Sequence, residues 1–142
     1  MSAAYTFDLD PSRHCIRLRM SGFFSLEELP GFLDTRRAVH ARLTCTPNSH
    51  VTLADIREMK IQSQDMVEGF GRVLGDASFH ARRLAFVISP GLLRTQLVRA
   101  VGRREDVRCF DSVRAAEAWL FTANIEMPIR KSPGTNPLSS AP

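Results

Sequence analysis

The segment LADIREMKIQSQDM, residues 53–66, contains two side chains whose chemistry is suited to catalysis or regulation. Asp55 ends an apolar run typical of a β-strand, and Ser63 stands just before a helical pattern. A serine nucleophile needs a histidine base, but the chain has no GxSxG motif and no histidine well placed at a predicted strand end. In the simpler interpretation Ser63 caps a helix and Asp55 accepts hydrogen bonds from loop amides. We therefore predict no catalytic residue and no enzymatic activity.

The cysteines and histidines give no sign of metal or redox chemistry. Cys15, Cys45 and Cys109 are odd in number and form no CxxC pair, so we expect reduced thiols in a cytoplasm. The four histidines are scattered and show no ligand spacing. The GFG of residues 69–71 lies inside a predicted helix and does not fit a nucleotide-binding loop. The sequence predicts neither a metal site nor a cofactor.

The composition is that of one globular domain. A chain of 142 residues can bury about two thirds of the surface that it exposes when unfolded. The net charge of +4 comes almost wholly from arginine, and the arginines are spread along the chain without interleaved aromatic residues, which argues against nucleic-acid binding. No apolar run reaches the ~20 residues that a membrane-spanning helix requires, so no transmembrane segment is predicted.

The N-terminal residues predict an antiparallel hairpin. Residues 5–9 and 15–20 both alternate apolar and polar side chains, and the DPSR between them is typical of a turn. Pairing Leu9 with Ile16 places the apolar residues of both strands on one face. The same register sets Asp8 across from Arg17 on the other face, which is a favourable cross-strand pair.

The rest of the chain alternates helices and strands. Ser25 and Glu28 predict a capping box for a helix that runs to about Leu43. Strands are predicted at residues 50–56, 83–88 and 106–110, and helices at about 64–74, from Ser89 and Pro90 to Val101, and after Asp111 or Ser112. The order is ββαβαβαβα, which predicts an α/β domain over residues 1–123 with a mixed, mostly parallel five-stranded sheet. Residues 124–142 are predicted to form a disordered tail.

Arginines indicate how the helices are distributed about the sheet. Arg17, Arg19 and Arg108 fall on the outer face of their predicted strands, and a sheet buried on both faces rarely tolerates such residues. The outward set of the third and fourth strands is predicted to be Thr52, Ala54, Arg83, Ala85 and Val87. We therefore predict helices mainly on one face and a second face that is open or covered by a partner, including a second copy in a homodimer.

The chain resembles the STAS domain, the fold of bacterial anti-sigma factor antagonists and their uncharacterised relatives. The resemblance covers about residues 4–122 and lies in the element order, in the LADI strand end before a loop and a serine-capped helix, and in the closing VRCFDSVRAAEAWL. It implies a parallel sheet with helices on one side. In the antagonists this loop carries a phosphorylatable serine in a DSSG-like motif. Here the corresponding IQSQDM keeps only Ser63 and lacks the rest of that motif.

The sequence favours a non-enzymatic STAS-like module that binds an unknown protein partner in a bacterial cytoplasm. The alternative is a carrier or sensor of a small lipid or anionic ligand held near the helix N-termini. The residues predicted to form the partner or regulatory surface are Asp55, Arg57, Glu58, Ser63, Asp65, Ser89, Arg17, Arg19 and Arg108.

Overall fold

A computed structural model describes residues 3–126 of the chain, with only the backbone described for residues 122–126. The chain forms β1 (Ala4–Asp10), β2 (Cys15–Gly22), a 3-10 turn (Leu26–Glu28), α1 (Leu29–His40), β3 (Val51–Met59), α2 (Gln64–Leu74), a second 3-10 turn (Ala77–Phe79), β4 (Arg83–Val87), α3 (Leu92–Val101), β5 (Val107–Phe110) and α4 (Val113–Glu126).

The five strands form one sheet in sequential order, β1-β2-β3-β4-β5. The β1–β2 pair is antiparallel, and the other three pairs are parallel. The predicted hairpin register is confirmed, because Leu9 lies opposite Ile16 and Asp8 opposite Arg17. The alternation of apolar and polar residues on both strands explains this success, since a slip by one residue would turn every apolar side chain to the wrong face.

The first helix begins with the predicted capping box. The Ser25 backbone N–H donates to the Glu28 carboxylate at 2.8 Å, and the next residues form a 3-10 turn before α1. Pro30 lies at the start of α1, where a missing N–H is tolerated. The helix ends at His40, three residues before the predicted end at Leu43.

Helices α1, α2 and α3 lie on one face of the sheet, as the sequential strand order requires of right-handed crossovers. They enclose the larger apolar core with that face of the sheet. Its buried residues are Met20, Phe24, Phe32, Ala54, Ile56, Met66, Phe86, Ile88 and Val107. The prediction of helices mainly on one face is confirmed.

The second face of the sheet is covered by α4, so the prediction of an open or partner-covered face is wrong for its central part. Ala116 and Leu120 of α4 are fully buried against a smaller apolar cluster on β2, β3 and β4. The buried sheet residues of this cluster are Cys15, Val51, Leu53, Ala85 and Val87. Small residues on both sides allow α4 to lie closer to the sheet than α2 and α3 do.

The predicted outward set is corrected in β3. Leu53 packs under α4, whereas Ala54 and Ile56 belong to the core on the α1–α3 side. This strand is apolar on both faces, so alternation does not determine which set points outward. The outward placement of Ala85 and Val87 in β4 is confirmed.

The start of α3 is also corrected. Ser89 and Pro90 are exposed loop residues, and Gly91 with φ of 145° is the N-cap residue of a helix that starts at Leu92. The chain stays extended through Ile88, whose N–H donates to the Phe110 carbonyl at 3.0 Å. The helix therefore starts two residues later than the Ser-Pro pair predicts. Its N-cap is a glycine, which tolerates the positive φ at this position.

The predicted tail lies almost wholly outside the described residues, apart from residues 124–126, which form the last turn of α4. No helix in the described part of the chain is both long and apolar enough to cross a membrane.

Candidate functional site

The parallel strands end at one edge of the sheet, here called the carboxyl edge, and most of the predicted site residues lie there. Asp55 is held by Arg57 on the same strand. Its carboxylate accepts from the Arg57 Nη2 at 2.7 Å, from Nε at 2.9 Å and from the backbone N–H at 3.2 Å. These hydrogen bonds lower the pKa of Asp55. Asp55 is therefore an ionised, paired carboxylate rather than a free general base.

Other charged residues lie beside the Asp55–Arg57 pair. Arg19 of β2 lies opposite Asp55 in the parallel register, and Glu58 lies opposite Ser21. Arg19, Arg57 and Glu58 are exposed. They form a mixed charged surface beyond the area that α4 covers.

Ser63 is the N-cap of α2, as predicted. Its Oγ accepts from the Met66 backbone N–H at 3.2 Å, and its φ and ψ of −66° and 160° are those of a capping residue. Asp65 is exposed in the first turn, where its charge favours the helix dipole. Ser112 caps α4 in the same way by accepting from the Ala115 N–H at 3.2 Å. The third serine, Ser89, caps no helix.

Two of the three predicted surface arginines contact α4 instead of an open face. Arg17 forms an ion pair with Glu117 at 2.6 Å, and the Arg108 guanidinium lies 5.2 Å from the centre of the Trp119 ring. Arg17 and Arg108 therefore contact α4 and help to hold it on the sheet.

The thiols of Cys15 and Cys109 are unsuited to nucleophilic chemistry. Cys15 is fully buried beneath α4, and burial raises its pKa to about 11. Burial also raises the pKa of Cys109. Both stay protonated at neutral pH, and a protonated thiol is a weak nucleophile. Among the described residues no group of three His, Cys, Asp or Glu side chains is placed to hold a metal ion.

Gln62 joins several segments at the carboxyl edge through hydrogen bonds. The sequence did not indicate this role. Its side chain is 6% exposed. Its Oε1 accepts from the Phe24 N–H at 3.0 Å, and its Nε2 donates to the Gly22 carbonyl at 3.2 Å and to the Lys60 carbonyl. Its backbone exchanges two hydrogen bonds with the Gln96 side chain of α3. One glutamine thus joins the end of β2, the loop after β3 and a helix.

Four large apolar side chains are exposed on the segments that Gln62 and Gln96 join, and the sequence did not indicate this either. Phe23 and Leu26 are both 46% exposed, Ile61 is 51% exposed and Leu92, one turn before Gln96, is 67% exposed. We call these four residues the carboxyl-edge patch. Phe23 and Ile61 fall between the periodic runs of the sequence, and Leu26 and Leu92 lie at predicted helix starts, so no amphipathic pattern assigned these residues to a core or to a surface.

A cavity of about 160 Å³, here called the interior cavity, lies between the sheet and helices α1–α3 and is partly open to solvent. Its walls are mainly aliphatic and aromatic, and they include Leu18, Ala54 and Phe86 from the sheet and Phe32, Phe70 and Leu97 from the helices. Its lining also includes polar and charged residues, among them Gln62, Gln96, Arg36, His40 and Arg104. Sequence patterns report which side chains point inward but not how completely they fill the space.

Comparison with known proteins identifies the fold. No family model matches the chain, and no curated protein matches it. A crystal structure of an uncharacterised DUF3478-family protein from Shewanella loihica PV-4, described as having a SpoIIAA-like fold, is similar to it with a TM-score of 0.63. The chain has a SpoIIAA-like fold.

The similarity spans 83% of this chain and 93% of the Shewanella protein, at 17% sequence identity. A SpoIIAA-like fold is a STAS-like fold, so the resemblance inferred from LADI and the closing helix is confirmed at the level of architecture. Identity this low supports the fold and carries no ligand or partner from one protein to the other.

Proposed function

We propose that this chain is a non-enzymatic regulatory module that binds a protein partner through the carboxyl-edge patch. The observation that carries the proposal is the exposure of Phe23, Leu26, Ile61 and Leu92 on segments that Gln62 holds together. Exposed apolar side chains grouped on a rigid scaffold are typical of interaction surfaces. A SpoIIAA-like fold is consistent with this use.

Charged residues surround the patch in the manner of an interface rim. Arg57 and Glu58 are exposed at the end of β3, and Lys60 and Asp65 are exposed on the loop and helix start that follow it. A polar rim around an apolar centre adds specificity and excludes water from the contact. Ser63 lies within this surface. The helix dipole would stabilise a phosphate on it, while Asp65 would repel that phosphate.

The chemistry of the candidate residues supports binding over catalysis. The charge of Asp55 is balanced by Arg57, and the Ser63 hydroxyl caps a helix. The Cys15 thiol is buried and protonated. Reduced thiols also agree with the proposed bacterial cytoplasm. The alternative of an anionic ligand at the helix N-termini has less support, since Ser63 and Ser112 already accept hydrogen bonds from amides at two of them.

The experiment places a photo-crosslinking amino acid at position 61 and, as the control, at position 98. Val98 is 54% exposed on α3 but lies outside the patch. We expect a discrete adduct from position 61 only. The crosslinked protein is then identified, purified and tested directly, and Ile61→Ser and Leu92→Ser should each weaken its binding at least about tenfold, while Val98→Ser should not.

The outcomes separate the possible occupants of the patch. An adduct with the mass of two chains would assign the patch to a homodimer instead of a different protein. Equal adducts from positions 61 and 98, or equal loss of binding in Ile61→Ser and Val98→Ser, would overturn the proposed surface.

A further inference from the structure

The interior cavity reflects a difference in packing between the two sides of the sheet, because the helices on the cavity side lie farther from the strands. On the α4 side, Ala116 and Ala85 are both fully buried. On the other side, α2 and α3 contact each other more closely than either contacts the sheet. Side chains that point into that layer, including Leu18, Phe70 and Leu84, stay only half-buried. Well-packed cores leave few voids larger than a water molecule, so a cavity of about 160 Å³ calls for an explanation.

We propose that the interior cavity binds a small, uncharged, mainly apolar molecule of about single-ring size that carries one hydroxyl group. The size follows from the volume, because an apolar cavity of roughly 150 Å³ in another protein accommodates benzene. A ligand of that kind would restore the dispersion contacts that the lining side chains otherwise lack. The site needs no part of the carboxyl-edge patch and therefore does not rest on the proposed partner binding.

The charges of the two arginines in the lining are already paired, which disfavours an anionic ligand. Arg36 donates from Nη1 to the Val73 carbonyl at 3.2 Å, lies 3.6 Å from Asp76, and stacks 4.1 Å over the Phe79 ring. Arg104 is paired with Asp106 at 2.7 Å and donates to the Leu74 carbonyl at 2.6 Å. A buried carboxylate on a ligand would therefore find no unpaired positive charge among these two residues.

Two buried polar atoms on α1 account for the hydroxyl group. His40 Nδ1 lies 2.9 Å from the Arg36 carbonyl, so it carries the proton and donates, which leaves Nε2 as an acceptor. His40 Nε2 and Arg36 Nε are both buried without a hydrogen-bond partner, and their residues line the cavity one helical turn apart. Burial lowers the pKa of His40, which keeps the imidazole neutral at pH 7. A hydroxyl group supplies both a donor suited to His40 Nε2 and an acceptor suited to Arg36 Nε.

The experiment compares phenol, toluene, benzoate and octanoate as probes of the purified chain, with amide chemical shifts and the melting temperature as readouts. We expect phenol and toluene to bind, with phenol tighter by about fivefold for one net hydrogen bond. Benzoate and octanoate should not bind. His40→Phe, which keeps the ring but removes both nitrogens, should abolish the preference for phenol while toluene still binds.

A pair of tryptophan variants locates the site. Leu97→Trp fills the cavity and should abolish binding of phenol and toluene, whereas Val98→Trp, an exposed neighbour on the same helix, should leave both unchanged. Circular dichroism checks that each variant is folded, and the comparison of probes on the unaltered chain decides the question if Leu97→Trp is not. Failure of both phenol and toluene to bind the unaltered chain, or binding of octanoate or benzoate instead, would overturn the proposal. Ile61→Ser should bind phenol normally, which separates this result from that of the partner experiment.

Discussion

At the scale of single residues, His50 carries the clearest consequence of burial. It is 2% exposed, and its ring packs edge-on against His40 at 5.0 Å between centroids. Burial, with the nearby His40 and Arg82, lowers its pKa to about 4. The unfolded chain binds a proton at the ordinary histidine pKa of about 6.5, so protonation between these two values favours unfolding.

We expect the free energy of unfolding to fall as the pH is lowered from about 6.5 to 4, and His50→Phe to reduce that slope. Above pH 6.5 both states hold a neutral imidazole, so this residue adds no pH dependence there. Urea unfolding in a pH series measures the slope in each variant. The same slope in His50→Phe as in the unaltered chain would show that another group controls the acid sensitivity.

At the scale of the helix and strand, the three serines near the carboxyl edge differ in their energetic roles. Ser63 satisfies an otherwise free amide of α2, whereas Ser89 is exposed and caps nothing. We expect Ser63→Ala to lower the free energy of unfolding by about 1 kcal/mol and Ser89→Ala to change it by less than about 0.5 kcal/mol. Chemical denaturation of the two variants measures the difference.

Ser63→Asp serves as the control for this comparison, because aspartate is also a good N-cap and should keep the stability near that of the unaltered chain. Any change in partner binding by Ser63→Asp would then report the added charge. Equal destabilisation by Ser63→Ala and Ser89→Ala would contradict the assigned caps.

The same serines show how far local sequence determines the element boundaries. Ser63 was predictable because a clear helical period follows it, and the observed α2 has the predicted bounds. Ser89-Pro90 carries an equally good local signal, yet Ile88 continues the pairing with β5 and moves the helix start to Leu92. Long-range strand pairing thus decided a boundary that local propensity alone placed too early.

At the scale of the whole molecule, the element order predicted a mostly parallel five-stranded sheet, the alternation of apolar and polar residues predicted the register of the hairpin, and the outward arginines predicted helices mainly on one face. The right-handedness of parallel crossovers determines the face of the sheet on which α1, α2 and α3 lie. Helix α4 follows the last strand, so this rule does not determine its face. Its apolar stripe of Val113, Ala116 and Leu120 was visible in the sequence, while the face it covers was not. The cavity and the carboxyl-edge patch depend on how closely layers approach, which composition and periodicity do not report.

The two layers therefore respond differently to added volume. Ala116 lies in the close contact between α4 and the sheet, and Ala100 of α3 lines the interior cavity. We expect Ala116→Leu to lower the free energy of unfolding by about 1–3 kcal/mol through overpacking. Ala100→Leu has room for its extra carbons, so it should leave the stability unchanged or raise it by up to about 1 kcal/mol. Urea denaturation of both variants gives the comparison.

Ala115→Leu provides the matched control, since Ala115 is exposed on α4 and the same substitution there changes helix propensity but no packing. Its effect should stay within about 0.5 kcal/mol. Because leucine and alanine are both good helix formers, any larger loss in Ala116→Leu must come from the contact with the sheet. Equal destabilisation by Ala116→Leu and Ala100→Leu would mean that the α1–α3 layer is packed as tightly as the α4 layer, and it would count against a ligand-sized cavity.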